Sequence, residues 1–310
     1  MTTGEGQATR RLARGIRPTG VLNFSLALTY VNSWTASTLE RIDLVAGTWQ
    51  RALMLDGHDL LITLGPSTTP DALILEIAGP YVSPDLLDRA EREVRRIFAL
   101  DTDPAEFAAL AWADDILRPI VTPYEGMRPI VVADLYESLV WAILGQQINV
   151  GFARRLKDRL VETSGHELVV DDVRYPLLPR PEVVAALDPA ALLGQQFSRQ
   201  KTAYVIGVSE EIASGRLDLH ELASLPDDEA IDELIRLRGV GRWTAEYVLM
   251  RGMGRADVIP AGDVSLQLLI GTAATGARVR EPELRAIAER WRPWRSWATF
   301  FVWMSRQFGA

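Results

Sequence analysis

The N-terminal third of the chain alternates apolar and polar positions with the period of β-strands. Apolar residues recur at every second position over residues 22–30, and two further apolar runs, 53–55 and 60–64, flank the turn dipeptide Asp56-Gly57. The same alternation returns over residues 73–77. These short runs, separated by turn residues, predict a small antiparallel sheet.

A helical period replaces the alternation after Ser83-Pro84, a dipeptide typical of helix starts. The helix that begins there carries an apolar stripe over residues 87–98. Beyond it the pattern is almost entirely helical. Asp134 is placed to cap a helix that leads into the turn at residues 145–149.

These patterns predict an α+β protein made of two packed parts, and its length of 310 residues at 48% hydrophobic content is enough for a sizeable core. Residues 1–19 are rich in Gly and Thr and then basic, which favours a disordered tail. Residues 20–125 are predicted to form a small α+β support domain. Residues 126–310 are predicted to form a helical domain, interrupted by a proline-rich loop at 161–180.

The most informative pattern lies between residues 234 and 268. An apolar helical pattern breaks at Gly239-Val240-Gly241, and a new one begins with Trp243 and Tyr247, which lie four residues apart on one helix face. Two interpretations of the glycines are open. They can form a turn between packed helices, or they can let a phosphate approach the backbone at a helix start. The third glycine of a dinucleotide-binding fingerprint is missing.

A single carboxylate follows this pattern. The glycine-rich segment 251–254 stops the second helix, and Asp263 stands directly before another apolar helix. Asp is a favoured N-cap residue, so capping is the simpler explanation of Asp263 when it is considered alone.

Composition excludes several classes of function. The chain has no cysteine, which excludes disulfides, cysteine nucleophiles, iron–sulfur clusters and the cysteine-ligated zinc of base deaminases. No apolar run approaches ~18 residues and no signal peptide is visible, so we expect a cytoplasmic protein without a membrane partner. The net charge of −8 argues against a protein that coats DNA, but residues 231–310 hold 12 Arg against 8 acidic residues.

Taken together, the segment 234–268 resembles the helix-hairpin-helix and Gly/Pro-rich loop with Asp that mark DNA glycosylases. The run GVGRWTAEY is especially similar to the bacterial 3-methyladenine DNA glycosylase II family. Residues 142–150 and 289–297 also match that family, so the resemblance covers residues 130–310. It implies a double-stranded, damaged DNA partner and a monomeric enzyme.

The resemblance implies a catalytic carboxylate and an aromatic base pocket. Asp263 would stabilise the oxocarbenium-like sugar that forms as the base departs, or would orient the attacking water. The extruded base would stack in a pocket whose expected residues are Trp243, Tyr247 and Trp303. The other tryptophans of the C-terminal helix are expected in the core.

The resemblance also implies how DNA is held. Backbone amides around Gly239, Gly241 and Thr244 would bind a phosphate. Gln147 matches the residue that is pushed into the duplex where the target base leaves. An alternative for both Gln146 and Gln147 is that they satisfy backbone groups in a buried turn.

No cofactor is implied beyond a possible structural cation. In the resembled family the hairpin holds Na⁺ or K⁺ with backbone carbonyl groups, which here would be those of Ile235, Leu237 and Val240.

One departure from related glycosylases bears on the reaction. Those that also cut the DNA backbone carry a Schiff-base lysine where this chain has Trp243, and its only lysines, Lys157 and Lys201, lie outside the motif. We therefore expect a monofunctional glycosylase that leaves an abasic site. The alternatives are a glycosylase for an oxidised or deaminated base, and a non-catalytic DNA-binding module, which would need neither Asp263 nor the aromatic residues.

Overall fold

The computed structural model describes residues 9–35, 38–164 and 166–308. Its N-terminal part is an antiparallel sheet in the strand order β1-β5-β4-β3-β2. The hairpin predicted at Asp56-Gly57 is confirmed, with positive φ at both residues (48° and 81°), as a tight two-residue turn requires. The strands are β1 Arg10–Ile16, β2 Glu40–Asp43, β3 Thr48–Leu55, β4 His58–Pro66 and β5 Leu73–Gly79.

The prediction of a disordered tail over residues 1–19 is wrong where the structure can be compared with it. Residues 1–8 lie outside the described residues, but Arg10–Ile16 pairs with β5 along its whole length. Its basic side chains do not oppose this pairing, because Arg11 forms an ion pair with Glu76 of the neighbouring strand and Arg14 with Glu91.

The strand predicted over residues 22–30 is also wrong, since Phe24–Tyr30 forms helix α1. The Asn23 side chain accepts a hydrogen bond from the amide of Leu26 (3.0 Å) and so caps the helix start. Apolar residues spaced three and four apart, as well as two apart, lie in this segment, and the capped helix buries Ala27, Leu28 and Tyr30.

Helices make up most of the remaining chain. The helix start predicted at Ser83-Pro84 and the cap predicted at Asp134 are confirmed, because the Ser83 hydroxyl accepts a hydrogen bond from the amide of Leu86 and the Asp134 carboxylate accepts one from the amide of Glu137. The helices are α2 Pro84–Ile97, α3 Ala105–Ala113, α4 Leu117–Val121, α5 Leu135–Gly145, α6 Val150–Ser164, α7 Pro181–Ala185, α8 Pro189–Gly194, α9 Arg199–Ala213, α10 Leu219–Ser224, α11 Asp227–Ile235, α12 Arg242–Val248, α13 Val264–Thr275, α14 Glu281–Ala288 and α15 Arg295–Phe308. Within the described ranges, no helix is long and apolar enough to cross a membrane.

The loop predicted over 161–180 is instead a second hairpin. Strand β6 (Glu167–Val170) pairs with β7 (Val173–Pro176) around Asp171-Asp172, both of which have positive φ. Leu168 and Val170 of this hairpin are buried against the outer face of the main sheet. Two Asp residues in the left-handed region are a weak turn signal, which is why the sequence did not indicate a hairpin.

Two large hydrophobic cores lie side by side. The first core joins the sheet, α2–α4 and α13–α15, and the second core joins α5, α6, α9, α11 and α12. Phe107 of α3 packs on Trp297 and Phe301 of α15, with ring centroids 5.3 Å apart in both pairs. The first core therefore contains residues from both sides of the predicted domain boundary at residues 125 and 126.

Candidate active site

A single cleft collects the candidate site residues. It has a volume of about 1200 Å³ and is walled by the α5–α6 turn, the segment between α11 and α12, and the adjoining ends of α12, α13 and α15. Most residues singled out in the sequence line it. These are Gln147, Gly239, Val240, Gly241, Trp243, Thr244, Tyr247, Asp263 and Trp303.

The two hairpin glycines have different structural roles. Gly239 has φ +89°, and a Cβ atom there would lie 2.2 Å from the Tyr204 ring, so the turn requires glycine for both reasons. Gly241 has φ −99°, and a Cβ atom there would meet nothing within 4 Å. Gly241 precedes α12 without a side-chain cap, so first-turn amides of α12 remain available to a ligand.

Asp263 caps α13 with only one of its carboxylate oxygens. Its Oδ1 accepts the amides of Ser265 and Leu266, both at 2.9 Å, and also the hydroxyl of Ser265. Its Oδ2 accepts no hydrogen bond from the described part of the chain. Asp263 is half-buried and lines the cleft. The capping and catalytic interpretations are thus compatible, because each uses a different oxygen.

Three aromatic rings form a continuous wall of the cleft. The ring centroids of Trp243 and Tyr247 are 5.6 Å apart, and those of Tyr247 and Trp303 are 6.0 Å apart. Burial raises the pKa of Tyr247, with the charge of Arg251 opposing the shift, so its phenol is neutral at physiological pH. The wall can therefore stack a planar group on its ring faces.

The two glutamines of the α5–α6 turn differ in their contacts. Gln146 donates to the carbonyl of Gly239 (2.9 Å) and to the hydroxyl of Thr244 (3.1 Å). This agrees with the alternative in which the glutamines of this turn satisfy polar groups of the protein itself. Gln147 is exposed, and its φ of +58° places it in the left-handed region that few non-glycine residues adopt. Thr244 is buried, and its hydroxyl accepts the bond from Gln146.

Both lysines are engaged in the structure. Lys201 donates to the carbonyls of Ile143 (3.1 Å), Leu144 (2.8 Å) and Gln146 (2.8 Å), at the end of α5. Lys157 is buried and donates to Glu137 at 2.7 Å.

Of the three residues whose carbonyl groups are expected to hold a cation, only one lines the cleft. Val240 lines it, whereas Ile235 and Leu237 do not. The carbonyl of Leu237 accepts the amide of Val240 at 3.1 Å and retains a second lone pair. Over the described residues, no group of three or more His, Asp or Glu could hold a metal ion.

Sequence reasoning missed three residues of this region. Ser265 could have been noticed two positions after Asp263, and Arg251 could have been noticed four positions after Tyr247, on the same helical face. Lys201 gave no local signal, because its carbonyl partners are 55 to 58 residues away in the chain.

Comparison with known proteins identifies relatives. The model of the HhH-GPD superfamily of base excision DNA repair proteins matches residues 140–293. A Bacillus subtilis DNA-3-methyladenine glycosylase is 36% identical over 207 residues, which cover 66% of this chain and 68% of the relative. The Escherichia coli DNA-3-methyladenine glycosylase 2 is 33% identical, with coverage of 57% and 60%.

Solved structures show the same fold. A 3-methyladenine DNA glycosylase from Archaeoglobus fulgidus superposes with a TM-score of 0.84 over 95% of this chain and 98% of that one, at 22% identity. An 8-oxoguanine glycosylase/lyase from Clostridium acetobutylicum, bound to double-stranded DNA, gives a TM-score of 0.68 over 85% and 86%, at 16% identity.

Proposed function

The chain belongs to the HhH-GPD superfamily of base excision DNA repair proteins, and we propose that this DNA glycosylase extrudes an alkylated, 3-methyladenine-like purine from duplex DNA and hydrolyses its N-glycosidic bond. The observation that carries the proposal is the placement of Asp263. One oxygen is fixed by three donors, the other accepts no hydrogen bond from the described residues, and the side chain lines the same cleft as the three aromatic rings.

The chemistry follows from what the cleft can hold. A base inside a duplex hides its C1′ atom, so the nucleotide must first rotate out of the stack. The bond between C1′ and the base nitrogen then breaks with its electron pair going to the base. The free carboxylate oxygen of Asp263 stabilises the positive sugar and accepts a proton from the attacking water.

The aromatic wall suits an alkylated purine. Such bases carry a positive charge, and the ring faces of Trp243, Tyr247 and Trp303 attract a cation by roughly 0.5–2 kcal/mol. The charge is lost as the base leaves, so these lesions are good leaving groups and need only modest help from the protein.

The contacts of the lysines support a monofunctional reaction. A lyase step needs an amine free to attack C1′, but Lys157 is held by Glu137 and Lys201 by three carbonyl groups. Trp243 occupies the position where the related lyases carry lysine. We therefore propose hydrolysis alone, with an abasic site as the product.

Binding to DNA would use the rim of the cleft. The open backbone at Gly241 suits a phosphate, and the exposed side chain of Gln147 would enter the gap left by the extruded base. A hairpin-bound Na⁺ or K⁺, a monomeric state and a cytoplasmic location belong to the same proposal.

The test is single-turnover base release from duplexes that carry a 3-methyladenine-type, ethenoadenine, hypoxanthine or 8-oxoguanine lesion. We expect release of the alkylated purine, strand breaks only after alkali, and no borohydride-trapped protein–DNA adduct. Preferential release of 8-oxoguanine would favour the other-lesion alternative, and a trapped adduct would contradict hydrolysis alone. Binding without release of any base would favour the non-catalytic module.

A further inference from the structure

Arg251 lies at the floor of the cleft. It belongs to the π-helical turn Leu249–Met253 that continues α12, four residues after Tyr247. Only 3% of its surface is exposed. It lines the cleft and also two smaller cavities behind it, of about 160 and 30 Å³. A charged group therefore lies beside Tyr247, the central ring of the aromatic wall.

The charge of Arg251 has no counter-ion. Over the described residues, its only charge partners are the phenols of two tyrosines and no carboxylate, and its Nη1 has no hydrogen-bond partner. Its neighbours are the rings of Phe300 and Tyr30, whose centroids are 5.4 and 5.9 Å from Cζ, and the phenols of Tyr30 and Tyr247.

The other buried arginines are different. Arg51 forms ion pairs with Glu40 and Glu137, and Arg128 donates to four backbone carbonyls. Burying a charge without such partners lowers stability, so stability alone does not explain Arg251. An unpaired donor beside a cavity instead suits an acceptor or a negative charge that enters the cavity.

A departing neutral base provides that negative charge. When the N-glycosidic bond breaks, its electron pair moves to the base, whose charge falls by one unit. A neutral base such as hypoxanthine develops negative charge, whereas a cationic base such as 7-methylguanine becomes neutral. A positive charge that lines the pocket attracts a neutral base while its bond to the sugar breaks, and it repels a cationic base while that base is bound.

We propose that Arg251 determines specificity by charge: it assists the release of neutral bases and disfavours cationic ones. It acts through space, because a positive charge that lines the cleft interacts directly with the charge of a base held there. The inference rests on the proposed glycosylase function and deepens it by naming the side chain that sets the preference between neutral and cationic bases.

The experiment compares wild type with Arg251→Met, Arg251→Gln and Arg251→Lys. For each, single-turnover rates at subsaturating enzyme are measured on duplexes with hypoxanthine and with 7-methylguanine, and thermal unfolding is recorded. In the Met and Gln variants we expect the ratio of hypoxanthine to 7-methylguanine release to fall about tenfold, the scale of one charge acting at short range. The Lys variant keeps the charge and should keep the ratio.

Stability separates this role from a structural one. Because Met and Gln also remove the contacts of Arg251 with the phenols of Tyr30 and Tyr247, the release ratio is compared only among variants that are folded at the assay temperature. An unchanged ratio in Met and Gln variants that fold, or an equal loss in the Lys variant, would overturn the inference while leaving the glycosylase proposal intact. If wild type releases 3-methyladenine but neither of these two bases, only the inference about Arg251 fails. If it releases none of the three, the glycosylase proposal fails as well.

Discussion

Replacing Lys201 by Met should weaken both the fold and the turn that carries Gln147. The ammonium group is half-buried and donates to three carbonyls at the end of α5, where helical carbonyls lack partners. Hydrogen bonds to a charged group contribute about 1.5–3 kcal/mol each, but water can replace part of them at a half-buried site. We expect Lys201→Met to lower the free energy of unfolding by about 2–3 kcal/mol.

The same contact bears on base extrusion. One of the three carbonyls belongs to Gln146, which directly precedes Gln147 and its left-handed backbone. Holding a non-glycine residue in that conformation costs about 1–2 kcal/mol, so the turn should relax when Lys201 is lost. Single-turnover release from a fully paired duplex should then fall about 10- to 100-fold, the range of misplaced positioning groups.

The assay separates extrusion from chemistry. The same lesion is placed in a paired duplex and in an unpaired bulge, where little work is needed to extrude it. We expect the defect of Lys201→Met to be largely absent in the bulge. Lys201→Arg is the control that keeps the charge and donors. Equal defects on both substrates, in a protein that is folded at the assay temperature, would refute the positioning role of Lys201.

Two further perturbations follow from the contacts. Gly239→Ala should destabilise the fold by about 2–4 kcal/mol in chemical denaturation, because its Cβ would collide with Tyr204. Gly241→Ala should instead change the stability by less than about 0.5 kcal/mol but weaken duplex binding about tenfold. If Gly241→Ala binds duplex DNA as tightly as wild type, the hairpin does not form part of the DNA interface. Glu137→Gln should cost about 3–5 kcal/mol at neutral pH, because it removes the buried counter-ion of Lys157 and leaves Arg51 with only its longer ion pair to Glu40. Burial opposes ionisation of Glu137, but Arg51 and Lys157 together lower its pKa below 4.5, so its stabilising contribution is complete above that pH and is lost as the pH falls through the lowered value. The stability difference between wild type and Glu137→Gln should shrink over that acid range, and a constant difference would contradict the lowered pKa.

Local signals were enough to predict parts of the fold. The Asp56-Gly57 turn and the Ser83 and Asp134 caps depend on residues within a few positions of one another, and each is present as expected. The errors came where distant partners decide the structure. Arg10–Ile16 becomes a strand because it can pair with β5, some sixty residues further along the chain.

The candidate site shows the same contrast between features set by neighbouring residues and features set by distant ones. The segment from Gly239 to Asp263 could be recognised because its turn, helix and cap are contiguous, and Trp303 was placed by resemblance rather than by pattern. Arg251 and Lys201 could not be assigned roles from the sequence. Their importance depends on burial and on carbonyl or aromatic neighbours contributed by other helices, which no local pattern records.

The most direct measurement is single-turnover release of an alkylated purine by Asp263→Asn, with duplex binding and thermal unfolding measured on the same samples. Asn still caps helices well, so we expect the cap of α13 and the affinity for lesion DNA to be retained. The rate should fall at least about 100-fold, because the neutral amide cannot stabilise the positive sugar. A rate close to that of wild type, or a parallel loss of stability and binding, would contradict the assignment of Asp263 as the catalytic carboxylate.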